Sequence, residues 1–248
     1  MTAKQIQNHK ARKTILLFFL LIFLTMPFLN TPAAADDRRE ARELVEKTQW
    51  MLEGTEGDPH FEEFRKLIKQ AKGIFMVPHL WKGGFVIGAL GGHGVLMVRD
   101  ERGNRWNGPA FYTLGGASYG PQVGGEVSET VFLIMSQRGV TSFLSNNFKL
   151  GADVSVSAGP VGRGTSAATA NLSADILSFS RSRGLYAGAS LSGAVIAVRS
   201  DMNRAYFGQR VSPTDILVRR EVFNDEAQKL IEEIEKLSTF GKEQGQRT

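Results

Sequence analysis

The chain has 248 residues, with 30 Lys and Arg, 25 Asp and Glu, 27 Gly and no Cys. The absence of cysteine excludes disulfides, thiolate metal sites, cysteine nucleophiles and a lipid-modified N-terminal cysteine. The formal charge of +5 sits mostly in the first 35 residues, which carry four basic side chains and no acid; the remainder has 26 basic against 25 acidic residues, a balance that disfavours a nucleic-acid binder.

Those first residues read as an export signal. Lys4, Lys10, Arg12 and Lys13 precede an uninterrupted apolar run over 15–24, and Ala33 and Ala35 are the small residues that a signal peptidase reads. The run falls short of the roughly 20 residues of a spanning helix, so cleavage after Ala35 is expected, with a retained anchor as the alternative. The mature protein is then periplasmic or otherwise exported, and peripheral to a membrane.

Residues 36–72 are expected to form helices. In 36–56 the positions Leu44, Val45, Thr48, Met51 and Leu52 lie on one side, and a Gly54 to Gly57 break follows. Asp58 and Pro59 suit an N-cap and first helical position, with Phe61, Phe64, Leu67, Ile68 and Ala71 as the next apolar stripe, read as core. From Gly73 the period becomes that of strands: 74–77 ending at Pro78, then 85–87 and 95–98 around a glycine cluster, and a polar turn over 99–104. The wholly apolar run 131–135 reads as a strand covered on both faces. A short helix is expected over 139–147.

Residues 147–193 hold three strand-like runs separated by glycine turns. Val154, Val156 and Ala158 alternate with Ser155 and Ser157, which predicts a half-buried strand. Leu172, Ala174 and Ile176 change phase to Leu177 and Phe179, which predicts a bulge near Ile176. Gly188 and Gly193 in the third run point to a strongly curved sheet. Downstream, residues 201–207 form a helical turn, Ser212, Pro213 and Asp215 have capping-box spacing, and Asn224 or Asp225 opens a last helix with the stripe Phe223, Ala227, Leu230, Ile234 and Leu237. The tail over 241–248 is expected to fray.

The runs LGADVSVSAGPVGR (150–163) and SFSRSRGLYAGASLSGAVI (178–196), with GGEV at 124–127, NRAYFG at 203–208 and AKGIFMVPHLWKGGFVIGALGGHG from 71, resemble the SYLF domain family over about 150 residues. The resemblance implies binding of phosphoinositide-rich membranes in eukaryotic members, regulation of cortical actin in yeast and animal ones, and envelope lipid binding in bacterial ones. It implies no enzymatic activity. Actin is not expected as the partner of an exported protein.

Chemical motifs are sparse. The loop over 159–166 nearly spells a P-loop, but Thr165 stands where the phosphate-reaching lysine belongs and Pro160 removes an amide donor; it can still present Arg163 to one headgroup. The glycines over 88–94 lack dinucleotide spacing and fit close strand packing. His60, His79 and His93 have no two-ligand helical spacing, so no metal or other cofactor is expected. Glu126, Glu129, Asp153, Asp175 and Asp201 suit ion pairs with the arginines, and a hydrolase using such acids is a remote alternative. Trp81 and Lys82 place an indole beside a cation on a glycine turn, suited to a membrane interface. Arg181 and Arg183, before Gly184, present two guanidinium forks to phosphate, with Lys149, Arg163 and Arg199 adding to the field.

The expectation is an α+β protein with a curved, largely antiparallel sheet: a signal over 1–35, helices over 36–72 and a SYLF-like domain over 73–240. It is expected to be a non-catalytic module for anionic phospholipid membranes. A scaffold that binds another envelope protein through a sheet edge is the alternative.

Overall fold

Strands of 28 and 30 residues cannot lie straight in a chain this size. At about 3.3 Å per residue the longer would span roughly 100 Å, whereas a domain of about 210 residues has a radius of gyration near 17 Å. In the computed structural model, which describes residues 33–100, 105–160, 173–182 and 191–239, these strands are β1 (Gly73–Asp100) and β2 (Arg105–Ile134). They pair antiparallel along their whole length, with register shifts at Val77/Leu80, Phe85/Ile87 and Leu96/Val98. The ribbon folds double. Lys72 donates its N–H to Ile134 O at 2.8 Å and accepts from Arg99 N–H at 2.8 Å, so the start of β1 lies between the end of β2 and the end of β1 itself.

Glycine permits that contact. A Cβ on Gly94 would stand 2.5 Å from the Phe75 ring and 2.7 Å from Met76 O, and one on Gly92 would stand 2.7 Å from His79 O. The glycine cluster therefore marks close strand packing, as its spacing suggests. Pro78 does not end the strand. It falls within the register shift between Val77 and Leu80, where the ladder does not need its missing N–H.

Shorter strands complete the sheet: β3 (Asn147–Lys149), β4 (Val156–Ala158), β5 (Ile176–Ser182) and β6 (Val195–Val198). On the far side of β2, β6 pairs with residues 112–115 and β5 with 128–134; β3 joins β6, and β4 joins β5 in parallel. The result is a curled, mostly antiparallel half-barrel of eight strand segments, with β1 and β2 each contributing two. The fold is α+β.

Two cores cover the two faces. Ile74, Met76, Val131, Leu133, Leu177 and Phe179 pack with α1 (Ala33–Glu53), α2 (Glu62–Leu67), α4 (Ser200–Phe207) and α5 (Gln228–Thr239). Phe75, Val77, Phe132, Ile134, Ile176 and Ile196 pack with α3 (Gln137–Leu144), Phe148, Ile216 and Leu217. Residues 131–134 are buried on both faces, as their unbroken apolar run predicts. Leu44, Val45, Thr48, Met51 and Leu52 of α1 are all buried, as are Phe61, Phe64, Ile68 and Ala71. At about 1.5–3 kcal/mol for each large apolar side chain buried, these helices are integral to the domain.

Some boundaries differ from expectation. Residues 173–175 form a bend and β5 starts at Ile176 in unbroken register with β2, so the change of phase reflects a strand covered on both faces and not a bulge. Residues 151–153 are a turn, and only Val156–Ala158 is strand. Phe223, assigned above to the last buried stripe, is 61% exposed because it precedes the Asn224 cap. Ser212 and Asp215 do form the capping box: Ser212 N–H donates to Asp215 Oδ2 (2.9 Å) and Asp215 N–H to Ser212 Oγ (3.3 Å). The leader up to residue 32, the turn at 101–104, the loop with Arg163, Leu172, the turn with Arg183 and the tail lie outside the described residues.

Gly94→Ala should destabilise the fold by about 2 kcal/mol, because the new methyl meets a ring and a carbonyl that are themselves packed. At this size that lowers Tm by roughly 4–8 °C. Gly91→Ala, with nothing nearer than 3.8 Å, should change Tm little; equal shifts in the two thermal melts would refute the close-approach argument.

Candidate membrane-facing site

Trp81 and Val127 face each other across the β1–β2 ladder, and both are exposed, by 50% and 43%. The indole lies over Gly83, where a Cβ would come within 2.8 Å of it, so glycine gives the ring a flat seat. Lys82 and Glu126 form the next pair and point to the opposite face. Burial pushes the Lys82 ammonium pKa down and Glu126 pulls it back up.

Two residues along β2 from Val127, on the same face, Glu129 opposes Arg181 of β5. His79, Val127, Glu129 and Arg181 line a depression of about 210 Å³. Trp81 and Arg181 thus stand on strands flanking β2 on either side.

Arg181 is nonetheless deeply engaged. Its Nε and Nη2 donate to Glu129 Oε2, and its Nη1 donates to Gly54 O (2.9 Å) and Asp58 Oδ2 (3.0 Å). Its guanidinium also lies 5.8 Å from the centre of the Phe61 ring. Burial works to lower its pKa, but the bonds to Glu129 and Asp58 outweigh that and hold it raised. This arginine fastens the α1–α2 connection to the sheet.

Two further arginines do the same elsewhere. Arg199 Nη2 lies 3.3 Å from Glu40 Oε2 and 3.6 Å from Asp37 Oδ1, on α1. Arg99 donates to the carbonyls of Lys69 (2.6 Å) and Ile68 (3.0 Å) at the end of α2 and stacks 4.8 Å over Trp106. Sequence reasoning missed these partners because they stand at least 30 positions from the arginines, beyond any local pattern. Lys149 is exposed at the end of β3, opposite Val195, away from the Trp81 strand pair. Its backbone N–H is held by Asp153 Oδ2 at 2.7 Å. Arg163 and Arg183 lie outside the described residues.

His93 joins the Arg199 cluster. Its Nδ1 is 2.9 Å from Thr113 Oγ1 and its Nε2 is 3.8 Å from Glu40 Oε1. Burial, then the Arg199 charge, push its pKa down, while Glu40 opposes them. Asp175 is a third polar junction: it accepts from Ser136 Oγ (2.5 Å), Ser155 Oγ (2.7 Å) and Ser155 N–H (3.1 Å). Burial would raise its carboxyl pKa, but these bonds leave it lowered. Among the described residues no group of three or more His, Asp or Glu could hold a metal ion, and no helix is long and apolar enough to cross a membrane.

A curled glycine-ribbon half-barrel with an indole-bearing ribbon defines the class, and the comparisons define the family. Residues 115–237 match the family model described as Ysc84, Las17-binding protein actin regulator. Protein YSC84 of Saccharomyces cerevisiae is 37% identical over 159 residues, 62% of this chain and 33% of the yeast protein. LAS seventeen-binding protein 3 of the same species is 37% identical over 158 residues, 62% of this chain and 34% of that protein. The human SH3 domain-containing YSC84-like protein 1 is 29% identical over 222 residues, 88% of this chain and 64% of its own length. The chain belongs to the SYLF family. It spans about a third of the two yeast relatives.

Arg181→Gln should cost about 1–3 kcal/mol, since partly buried Glu129 loses its ion pair and the link from the sheet to Asp58 is broken. Its urea midpoint should fall; an unchanged midpoint would show that the fastening contributes nothing.

A lowered histidine pKa means that the unfolded chain binds the proton more readily. Stability therefore falls as pH drops through the unfolded value of about 6.5. His93→Gln should lose less Tm than the wild type between pH 7.5 and 5.5. Parallel losses in the two proteins would rule out this linkage.

Proposed function

We propose that this chain is a non-catalytic module that binds membranes bearing anionic phospholipids, exported by its leader and peripheral to the envelope membrane. The observation that carries the reading is the exposed Trp81–Val127 pair on the glycine ribbon. An indole at headgroup depth, with a branched aliphatic side chain opposite it, is suited to an interface that is apolar on one side and wet on the other. Because Arg181 and Arg199 are engaged within the fold, Arg163, Arg183 and Lys149 are the cations proposed to meet headgroups, each worth about 1 kcal/mol at an anionic surface. Cleavage after Ala35 would leave Asp37 and Glu40 in place on α1, and with them the clasp to Arg199.

A second reading, an envelope protein held through the sheet edge at β4, is favoured by the relatives, one of which is named LAS seventeen-binding protein 3. Las17 and actin themselves are not carried over to an exported chain.

Vesicle flotation separates the two readings. Trp81→Ala should reduce binding to anionic vesicles by roughly five- to tenfold, about 1–1.4 kcal/mol. Arg163→Gln with Arg183→Gln should reduce it further, and raised salt should weaken the wild type because exposed charges are screened within about 8 Å. Wild-type flotation by both variants would sink the membrane reading. Intact mass of the protein from the envelope fraction should correspond to a chain beginning at Asp36, and a species retaining Met1 would show that the leader is kept.

A further inference from the structure

Among the described residues β5 leaves β2 at Ser128, and the next rungs of the ribbon belong to β1 and β2 alone. One of these rungs sets Lys82 opposite Glu126, two opposite charges that do not close on each other. Both side chains are partly buried. Among the described residues Lys82 Nζ has no hydrogen bond and no ion pair, and Glu126 Oε2 is buried without a hydrogen-bond partner. Burial outweighs the attraction of Glu126 and lowers the Lys82 pKa, as expected of a cation whose counter-charge stands off.

The hydroxyls nearest Glu126 along β2 are committed elsewhere. Ser128 and Thr130 follow it on the same face and are buried. Ser128 Oγ lies 3.5 Å from Leu80 O and 3.4 Å from Thr130 Oγ1, which lies 3.0 Å from Ser180 Oγ. On the other side of the pair, the same-face rung Gly84–Gly124 carries no side chain. A carboxylate can only accept and an ammonium can only donate, and a buried acceptor without a donor is costly. At a surface that meets anionic lipid the acid is repulsive as well. A group that answers both side chains has to accept from Lys82 and donate to Glu126.

We infer that Lys82 and Glu126 recognise a phosphodiester lipid whose headgroup carries a free diol, as a glycerol headgroup does, with the phosphodiester accepting from Lys82 Nζ and the hydroxyls donating to the Glu126 carboxylate. The inference rests on the membrane reading above and deepens it by naming the headgroup. Lys82 follows Trp81 directly, about 3.3 Å along the strand, so an indole at headgroup depth holds the pair at that depth on the other face of the ribbon. The acid then has a use: it separates headgroups that offer hydroxyl donors from anionic ones that do not.

Vesicles of equal anionic content made with phosphatidylglycerol or with phosphatidylmethanol share the phosphodiester and differ in the diol. The wild type should favour phosphatidylglycerol by roughly fivefold or more in flotation. Glu126→Gln should lose that preference and bind phosphatidylmethanol as well as the wild type or better, since a repulsive charge is gone. Lys82→Gln and Trp81→Ala should weaken binding to both lipids alike and keep the preference. Phosphatidylserine, whose ammonium comes with a carboxylate that Glu126 repels, should bind no better than phosphatidylmethanol. Equal binding of the wild type to phosphatidylglycerol and phosphatidylmethanol overturns the inference and leaves the membrane reading standing, whereas binding to neither sinks both. Phosphatidylserine at the level of phosphatidylglycerol would show that the diol is not what is read. A Glu126→Gln protein with an unchanged melt and the full preference would remove Glu126 from the site.

Discussion

The contact between the two halves of β1 governs the rest of the structure. A 28-residue strand has to turn back within a small domain, and it can do so only where backbone meets backbone without side chains between. Gly92 and Gly94 against His79 and Met76 provide that place. Once the ribbon is doubled, its alternate residues face opposite ways and both faces become apolar, so helices are required on each side. The same doubling leaves β2 with a free flank on which β5 and β6 can pair.

The N-terminal helical segment is held to this sheet by burial and by three arginines placed in succession. Arg199 meets the start of α1, Arg181 the α1–α2 connection and Arg99 the end of α2. All are partly buried, where an intact pair contributes modestly but the loss of one partner is costly. These clasps fix the relative placement of helices and sheet. They also take two of the cations most suggestive of headgroup binding out of direct competition for a ligand, which moves attention to the exposed indole.

Family membership and geometry meet in the middle of the chain. The family match begins at Gly115, inside the stretch of β2 that pairs with β6, and runs into α5. It includes Val127 and Glu129, through which β2 joins Trp81 on one side to Arg181 on the other.

Local chemistry was legible in the sequence wherever a pattern closes within a few residues. The buried stripe of α1, the Asn224 cap, the Ser212–Asp215 box and the both-faced burial of 131–134 all follow from spacing and residue type. The glycine cluster announced close packing, but Trp81, Lys82 and Gly83, expected on a turn, lie inside the paired ribbon, where the ladder continues through the glycines. What the sequence could not determine was which strand the glycines approach, because residues 73 and 97 become neighbours only when the ribbon doubles. Nor could it distinguish an arginine that awaits a ligand from one that fastens the fold. Arg181 and Arg199 have no opposite charge at helical or cross-turn spacing that would betray their partners; Asp58 and Glu40 reach them from more than a hundred residues away, and only tertiary packing closes such distances.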